Sequence, residues 1–179
     1  MHAVTLDVPR SVDTAAPSFA AVAEELLDDV YGYLLYLTKN WAIAEDLTSE
    51  TFEVAFRKWR RFDPRRGTPR AWLLAIARTT ALDFFRSDAR RRRREERADS
   101  AEPARDNEGA FGEGLSPALE EGLRSLTAGE REVVALRVVL DLDGEEAARL
   151  LGITPTAVST RLSRALAKLE ERMRDHDVV

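Results

Sequence analysis

Residues Gly67–Arg94 read GTPRAWLLAIARTTALDFFRSDARRRRR, and the spacing within them predicts one helix with a defined start. Thr68 is placed to cap it, and Pro69 sits at the first helical position, where a missing N–H breaks no hydrogen bond. Leu73, Ile76, Ala77, Thr80 and Phe84 recur at helical intervals and form a face for burial. A second stripe, Trp72, Thr79, Asp83 and Arg86, combines an aromatic ring, hydrogen-bonding groups and a guanidinium. Five consecutive arginines, Arg90–Arg94, follow it. A helix with one face for its own core and another offering stacking and positive charge suits nucleic acid.

The rest of the composition narrows the function class. The chain has 179 residues, 44% hydrophobic, enough for real cores in one domain or two small ones. No stretch approaches the roughly 20 apolar residues of a membrane span, and no charged-then-apolar leader opens the chain, so a cytoplasmic protein is expected. There is no cysteine, and the 2 histidines, His2 and His176, lie near the two ends. Thiolate ligands, disulfides and a histidine-built catalytic or metal site are therefore not expected, and no glycine-rich phosphate loop is present. Neither an enzyme active site nor a cofactor is expected. The net charge of −5 is distributed in blocks: 2 basic and 10 acidic groups in residues 1–56, then 15 and 5 in residues 57–97. Residues 98–153 carry 5 and 13, and residues 154–179 carry 5 and 4. A basic block alone is equally compatible with a solvated face.

Taken in order, residues 1–17 show no period and contain two prolines, which predicts a flexible tail. A first helix from Ser18 places Val22, Leu26, Val30, Tyr33, Leu34 and Leu37 on one side. A second, from about Ala44 to Trp59, is expected to bury Leu47, Phe52, Val54, Ala55 and Phe56. Its early carboxylates, Glu45, Asp46 and Glu50, also suit the positive end of the helix dipole. The turn RRFDPRRG then leads to the opening helix, giving a first domain over residues 18–94. Residues 95–116, EERADSAEPARDNEGAFGEGLS, are acidic, contain three glycines and a proline, and offer almost nothing to bury, which predicts a flexible linker.

A second helical domain is expected over residues 117–175. Thr127 followed by Glu130 forms a capping-box pattern. Asp143 can cap a helix that ends at Gly152, a residue suited to the left-handed position after a helix. Thr154–Pro155 repeats the opening of Thr68–Pro69. Ala148, Gly152 and Val158 have the spacing of a helix-turn-helix: a small residue at the helix contact, a turn glycine and a core anchor. On the last helix, Val158, Leu162, Ala165, Leu166, Leu169 and Met173 share one side. Thr156, Thr160, Ser163 and Arg164 occupy the other, with Ser159 and Arg161 flanking. Hydroxyls and arginines outside a core are what a reading helix offers to base edges and phosphates. The expected fold is all-α: two small helical domains joined by an acidic flexible linker, the second a helix-turn-helix domain.

With both halves read, the chain resembles the extracytoplasmic-function sigma factors of bacterial RNA polymerase. The first domain resembles that family's region 2 through AEDLTSETF, AWLLAIAR and LDFFR. The second resembles region 4 through LTAGEREVVALR, EEAARLLGI and AVSTRLSRALAKL. The resemblance implies that Asp46, Ser49 and Glu50 face the clamp helices of the polymerase β′ subunit, while region 4 meets the β flap. It implies that Phe62, Trp72, Thr79, Asp83 and Arg86 take up the melted minus-ten strand, with Arg90–Arg94 on phosphates. Thr156, Ser159, Thr160, Arg161, Ser163 and Arg164 would read the minus-thirty-five element. It further implies an anti-sigma factor as partner and a linker that threads the RNA channel. The sequence departs from the common family pattern at Ser49, where glutamine is usual, at Thr79, where asparagine is frequent, and at Asp143–Gly144. A helix-turn-helix regulator that binds DNA without polymerase is the alternative, because the second domain also resembles response-regulator output domains. Residues 1–100 show no alternation of strands and helices that would supply a receiver domain.

Overall fold

The computed structural model describes residues 18–97, 111 and 115–177; the tail expected over residues 1–17 and linker residues 98–110 and 112–114 lie outside them. All regular structure among the described residues is helical. Helix α1 (Phe19–Thr38) is capped by Ser18, whose Oγ accepts the Ala21 N–H at 3.2 Å. It buries the six residues expected of it together with Leu35. Lys39 ends it in the left-handed region at φ 54°, donating its N–H to the Leu35 carbonyl.

Asn40 immediately caps α2 (Trp41–Lys58), its Oδ1 accepting the Ile43 N–H at 3.1 Å, so the helix begins three residues before the expected Ala44. The buried face is Ala44, Leu47, Thr48, Thr51 and Ala55. Thr48 and Thr51 enter the core because their hydroxyls donate to the Ala44 and Leu47 carbonyls at 2.7 Å. Phe56, expected inside, is 67% exposed, because a face centred on residues 44, 51 and 55 turns position 56 outward. A short 3₁₀ turn, Trp59–Arg61, follows.

Helix α3 (Pro69–Arg97) starts as the sequence predicts, with the Thr68 hydroxyl accepting the Ala71 N–H at 3.1 Å, and continues three residues past Arg94. Leu73, Leu74, Ala77 and Ala81 are fully buried against α1 and α2.

The second unit comprises α4 (Pro117–Ser125), α5 (Ala128–Val134), a π turn at Ala135–Val139, α6 (Gly144–Leu151) and α7 (Pro155–Asp177). Complete capping boxes start α5 (Thr127 with Glu130) and α6 (Asp143 with Glu146). Gly152 ends α6 at φ 69°, a conformation that carries little steric cost only without a Cβ. Thr154 caps α7 by accepting the Ala157 N–H at 3.2 Å. Leu166 and Met173, expected on the inner face of α7, are each 43% exposed; Val158, Ala165 and Leu169 form its buried line.

Two helical units follow one another along the chain as the sequence predicts, and two features go beyond that reading. First, the units share one buried cluster: α1 packs on α5 and the π turn, α3 packs on α6, and apolar contact runs from Val30 and Leu73 through Val133 and Leu136 to Val158. Second, Phe111, within the stretch expected to bury almost nothing, is 5% exposed. It belongs to a cluster with Leu123, Leu126, Val134, Ala165 and Leu169, and its ring lies 5.6 Å from that of Tyr36 on α1.

Candidate nucleic-acid interface

The N-terminal end of α3 carries an aromatic cluster. Phe62 stacks on Trp59 with ring centroids 5.0 Å apart and planes 7° from parallel. Trp72 meets both, at 5.4 Å from Phe62 and 5.8 Å from Trp59. The 3₁₀ turn causes this arrangement, because the Phe62 N–H donates to the Trp59 carbonyl at 2.9 Å and folds the chain back onto α3. Two of the predicted residues, Phe62 and Trp72, are thereby brought together. Both are half-buried, so Trp72 forms a wall of an aromatic patch and does not project as a free ring. Trp59 is the member that sequence reading missed; an aromatic on each side of a tight basic turn was the signal for it.

Thr79, Asp83 and Arg86 continue from this patch along the exposed face of α3. At 1.5 Å per residue the line from Trp72 to Arg86 is about 21 Å long. Asp83 and Arg86 pair at 2.9 Å with both side chains about two-thirds exposed, and the Thr79 hydroxyl donates to the Ala75 carbonyl at 2.9 Å. In the arginine run, Asp88 holds Arg91 at 2.7 Å and Arg92 at 2.8 Å. The Arg91 hydrogen bond is the main reason the Asp88 carboxyl ionises below its ordinary range. Arg90–Arg94 all remain exposed. The result is a stacking surface, a polar stripe and a cationic end in sequence along one helix.

On α2, Asp46, Ser49 and Glu50 are exposed on the face turned away from α1 and α3. Glu53 and the exposed ring of Phe56 extend the same ridge at helical spacing, and Phe56 rests against Phe19 at 5.4 Å. The ridge is therefore acidic with an apolar end, a mixture that reading Phe56 as a core residue concealed.

The second candidate face lies on α7. Thr156, Ser159, Thr160, Ser163 and Arg164 are exposed, and Arg161 is partly covered. Thr156, Thr160, Arg161 and Arg164 line an open cleft of ≈ 640 Å³ whose far wall includes Thr127 and Glu130 at the start of α5. Gly129 lets Arg161 lie across α5: a Cβ there would stand 3.1 Å from the guanidinium Nη1. Helix α7 is fixed to α5 by Lys168, whose Nζ donates to both carboxylate oxygens of Glu130 at 2.7 and 2.9 Å. The Lys168 hydrogen bond, aided by those from Thr127, lowers the Glu130 carboxyl to about 2 against the opposing effect of burial. The α3 stripe and the α7 face stand on different units, so two separate strips of nucleic acid could be engaged.

Among the described residues no group of three His, Asp or Glu side chains is placed to hold a metal ion, and no helix is long and apolar enough to cross a membrane.

Comparison with known proteins is consistent with this geometry. Residues 22–91 match the family described as Sigma-70 region 2, and residues 117–169 match Sigma-70, region 4. The ECF RNA polymerase sigma factor BldN of Streptomyces coelicolor is 35% identical over 94% of this chain, which spans 65% of that relative's length. The ECF RNA polymerase sigma factor SigK of a Mycobacterium species (strain JLS) is 31% identical over 93% of this chain and 80% of its own. Among solved structures, the sigma factor RpoE of Bartonella quintana, in complex with the anti-sigma factor NepR, superposes with a TM-score of 0.71. That match covers 87% of this chain and 96% of the other at 24% identity, and shows the shared fold.

Proposed function

The chain belongs to the extracytoplasmic-function sigma factors of bacterial RNA polymerase, and we propose that it reads promoters through two separate faces while docked on the core enzyme. The observation that carries this reading is the pair of exposed polar faces on different units, Trp72–Arg86 on α3 and Thr156–Arg164 on α7, each backed by its own packed side. The α7 face reads the minus-thirty-five element as duplex. Arg161 and Arg164 supply guanidinium forks for guanine edges or phosphates, and Thr156, Ser159, Thr160 and Ser163 supply hydroxyls.

The aromatic patch of Trp59, Phe62 and Trp72 takes an unpaired base of the minus-ten non-template strand. Thr79, Asp83 and Arg86 line the path of that strand, and Arg90–Arg94 bind its phosphates. Strand opening then follows from differential binding: a surface that stacks an extruded base and does not bind the paired one shifts the duplex toward the open form. Asp46, Ser49, Glu50 and Phe56 form the docking ridge for the β′ clamp helices, where carboxylates steer the approach and the exposed ring supplies apolar area. The second unit contacts the β flap, an anti-sigma factor is the regulatory partner, and the site of action is the cytoplasm, where the polymerase works. The expected role is binding and positioning, without bond chemistry of its own.

Run-off transcription with purified core polymerase and a promoter library tests the reading. The expected result is a set of start sites that depends on this protein. Promoter binding by the chain alone, unaffected by core, would point to a regulator instead, and the absence of any start site would refute the proposal.

A further inference from the structure

The arginine run keeps the helical period of α3, so its five guanidiniums leave the helix in different directions. At about 100° of turn per residue, Arg90, Arg93 and Arg94 fall in the sector of Trp72, Thr79, Asp83 and Arg86. Arg91 and Arg92 fall on the opposite side, together with Asp88 and Glu95. That second sector continues the line of Leu73, Leu74, Ala77 and Ala81, the buried face of α3, past the end of the core.

The two groups of arginines also differ in what they touch. Asp88 Oδ1 accepts from Arg91 Nη2 at 2.7 Å, Asp88 Oδ2 accepts from Arg92 Nε at 2.8 Å, and Glu95 Oε1 lies 3.9 Å from Arg91 Nε. Two carboxylates thus cancel two guanidiniums, and the Asp88 side chain is left only 15% exposed. Arg90, Arg93 and Arg94 are exposed and have no carboxylate partner among the described residues. A phosphate taken up by Arg91 or Arg92 must displace Asp88, which then recruits a cation from solvent. The cation released from the nucleic acid is recaptured, and the exchange yields little net affinity. A phosphate taken up by Arg90, Arg93 or Arg94 releases its counterion with nothing to recapture it.

We propose, resting on the promoter reading above, that the phosphate site at the end of the strand path consists of Arg90, Arg93 and Arg94, and that Asp88 holds Arg91 and Arg92 out of it. The arginine run of that reading is thereby narrowed from five residues to three. The three extend the stripe that begins at Trp72 from about 21 Å to about 33 Å of helix axis. Asp88 is a positioning residue here: it faces away from the strand and decides which neighbouring guanidiniums are available to it.

The test uses holoenzyme assembled from core polymerase and the full chain, and a promoter fragment recovered from the run-off library and pre-melted at minus ten. Each arginine is replaced singly by glutamine. All five variants change the net charge equally, so a difference among them reports position and not overall charge. Arg90→Gln, Arg93→Gln and Arg94→Gln should each flatten the slope of log affinity against log salt by about 0.7, so that the affinity gap to wild type narrows about threefold from about 50 to 200 mM. Arg91→Gln and Arg92→Gln should flatten it by less than half as much. Arg93→Lys, which keeps the charge, should restore the wild-type slope and so separates a lost phosphate contact from a disturbed helix. Five equal changes, a larger change at Arg91 or Arg92 than at the other three, or five unchanged slopes would overturn the partition. Failure of the promoter reading has a different signature: the library then yields no start site that depends on this protein, and the partition falls with it.

Discussion

Replacing Glu130 by glutamine removes the charge that ties the reading helix to α5 while leaving a side-chain oxygen for the Thr127 cap. In the native chain that carboxylate accepts two bonds from Lys168 and two from Thr127, and its ionisation lies at about 2 against an ordinary 4.5. At about 1.4 kcal/mol for each tenfold change in proton affinity, the full effect would be about 3 kcal/mol. Lys168 leaves 46% of its side chain in solvent, however, and screening at such a pair reduces the expected contribution to about 1–2 kcal/mol. Urea unfolding at pH 7 should show the loss as a midpoint lowered by about 0.5–1 M, given the usual slopes for small domains. The sign with pH follows from linkage: the folded state holds this proton less tightly than the unfolded chain does. The stabilisation is therefore complete above about pH 4.5 and is lost as pH falls toward 2. The gap between wild type and Glu130→Gln should close over that window, and a cycle with Lys168→Met should recover most of it as coupling. Equal midpoints at pH 7, or a gap that stays constant down to pH 3, would refute the assignment.

Gly152→Ala should cost about 1 kcal/mol or more, because the new Cβ must be held at φ 69°; a thermal melt unchanged from wild type would contradict this. Arg164→Ala should weaken promoter binding by about 1–3 kcal/mol if the guanidinium reads a base, and relax preference at one position; an unaltered promoter profile removes it from the reading set. Trp72→Ala should leave core binding intact yet reduce open-complex yield on duplex templates, with recovery on pre-melted ones. Normal yield on both would exclude the aromatic patch from strand capture.

Local rules carried much of the fold. The caps at Thr68, Thr127, Asp143 and Thr154 and the left-handed Gly152 are encoded by neighbours within a few residues, and each stands where the sequence placed it. Periodicity found six of the seven buried residues of α1, missing Leu35, and misassigned Phe56, Leu166 and Met173. An amphipathic pattern does not distinguish an apolar residue at the edge of a face from one at its centre. The exposed positions of the candidate site, Thr79, Asp83 and Arg86 on α3 and Thr156 to Arg164 on α7, were legible for the converse reason: polar side chains at helical spacing outside a core have few places to go. Trp59, Phe111 and Glu132 were not legible. Each acts through a partner far away in sequence or across a turn, 99 positions away in the case of Tyr33 and Glu132, and no local pattern encodes that pairing.

Where the two units meet, the Tyr33 hydroxyl donates to Oε1 of Glu132 at 2.9 Å and Arg78 Nε donates to the same oxygen at 2.8 Å. An interface held only by apolar packing gives up its buried area on opening and gains nothing from water. Here a carboxylate, a guanidinium and a phenol stand within the apolar contact, with Arg78 still 25% exposed and Glu132 11% exposed. Desolvation of each group offsets much of their mutual attraction, so the contact is worth less than its two bonds to Glu132 suggest. When the units part, each group recovers water, and that recovery repays part of what the broken bonds cost. Removing one partner behaves differently: without Glu132, closure would leave the Tyr33 hydroxyl buried and unbonded at about 1–3 kcal/mol, with Arg78 partly desolvated beside it.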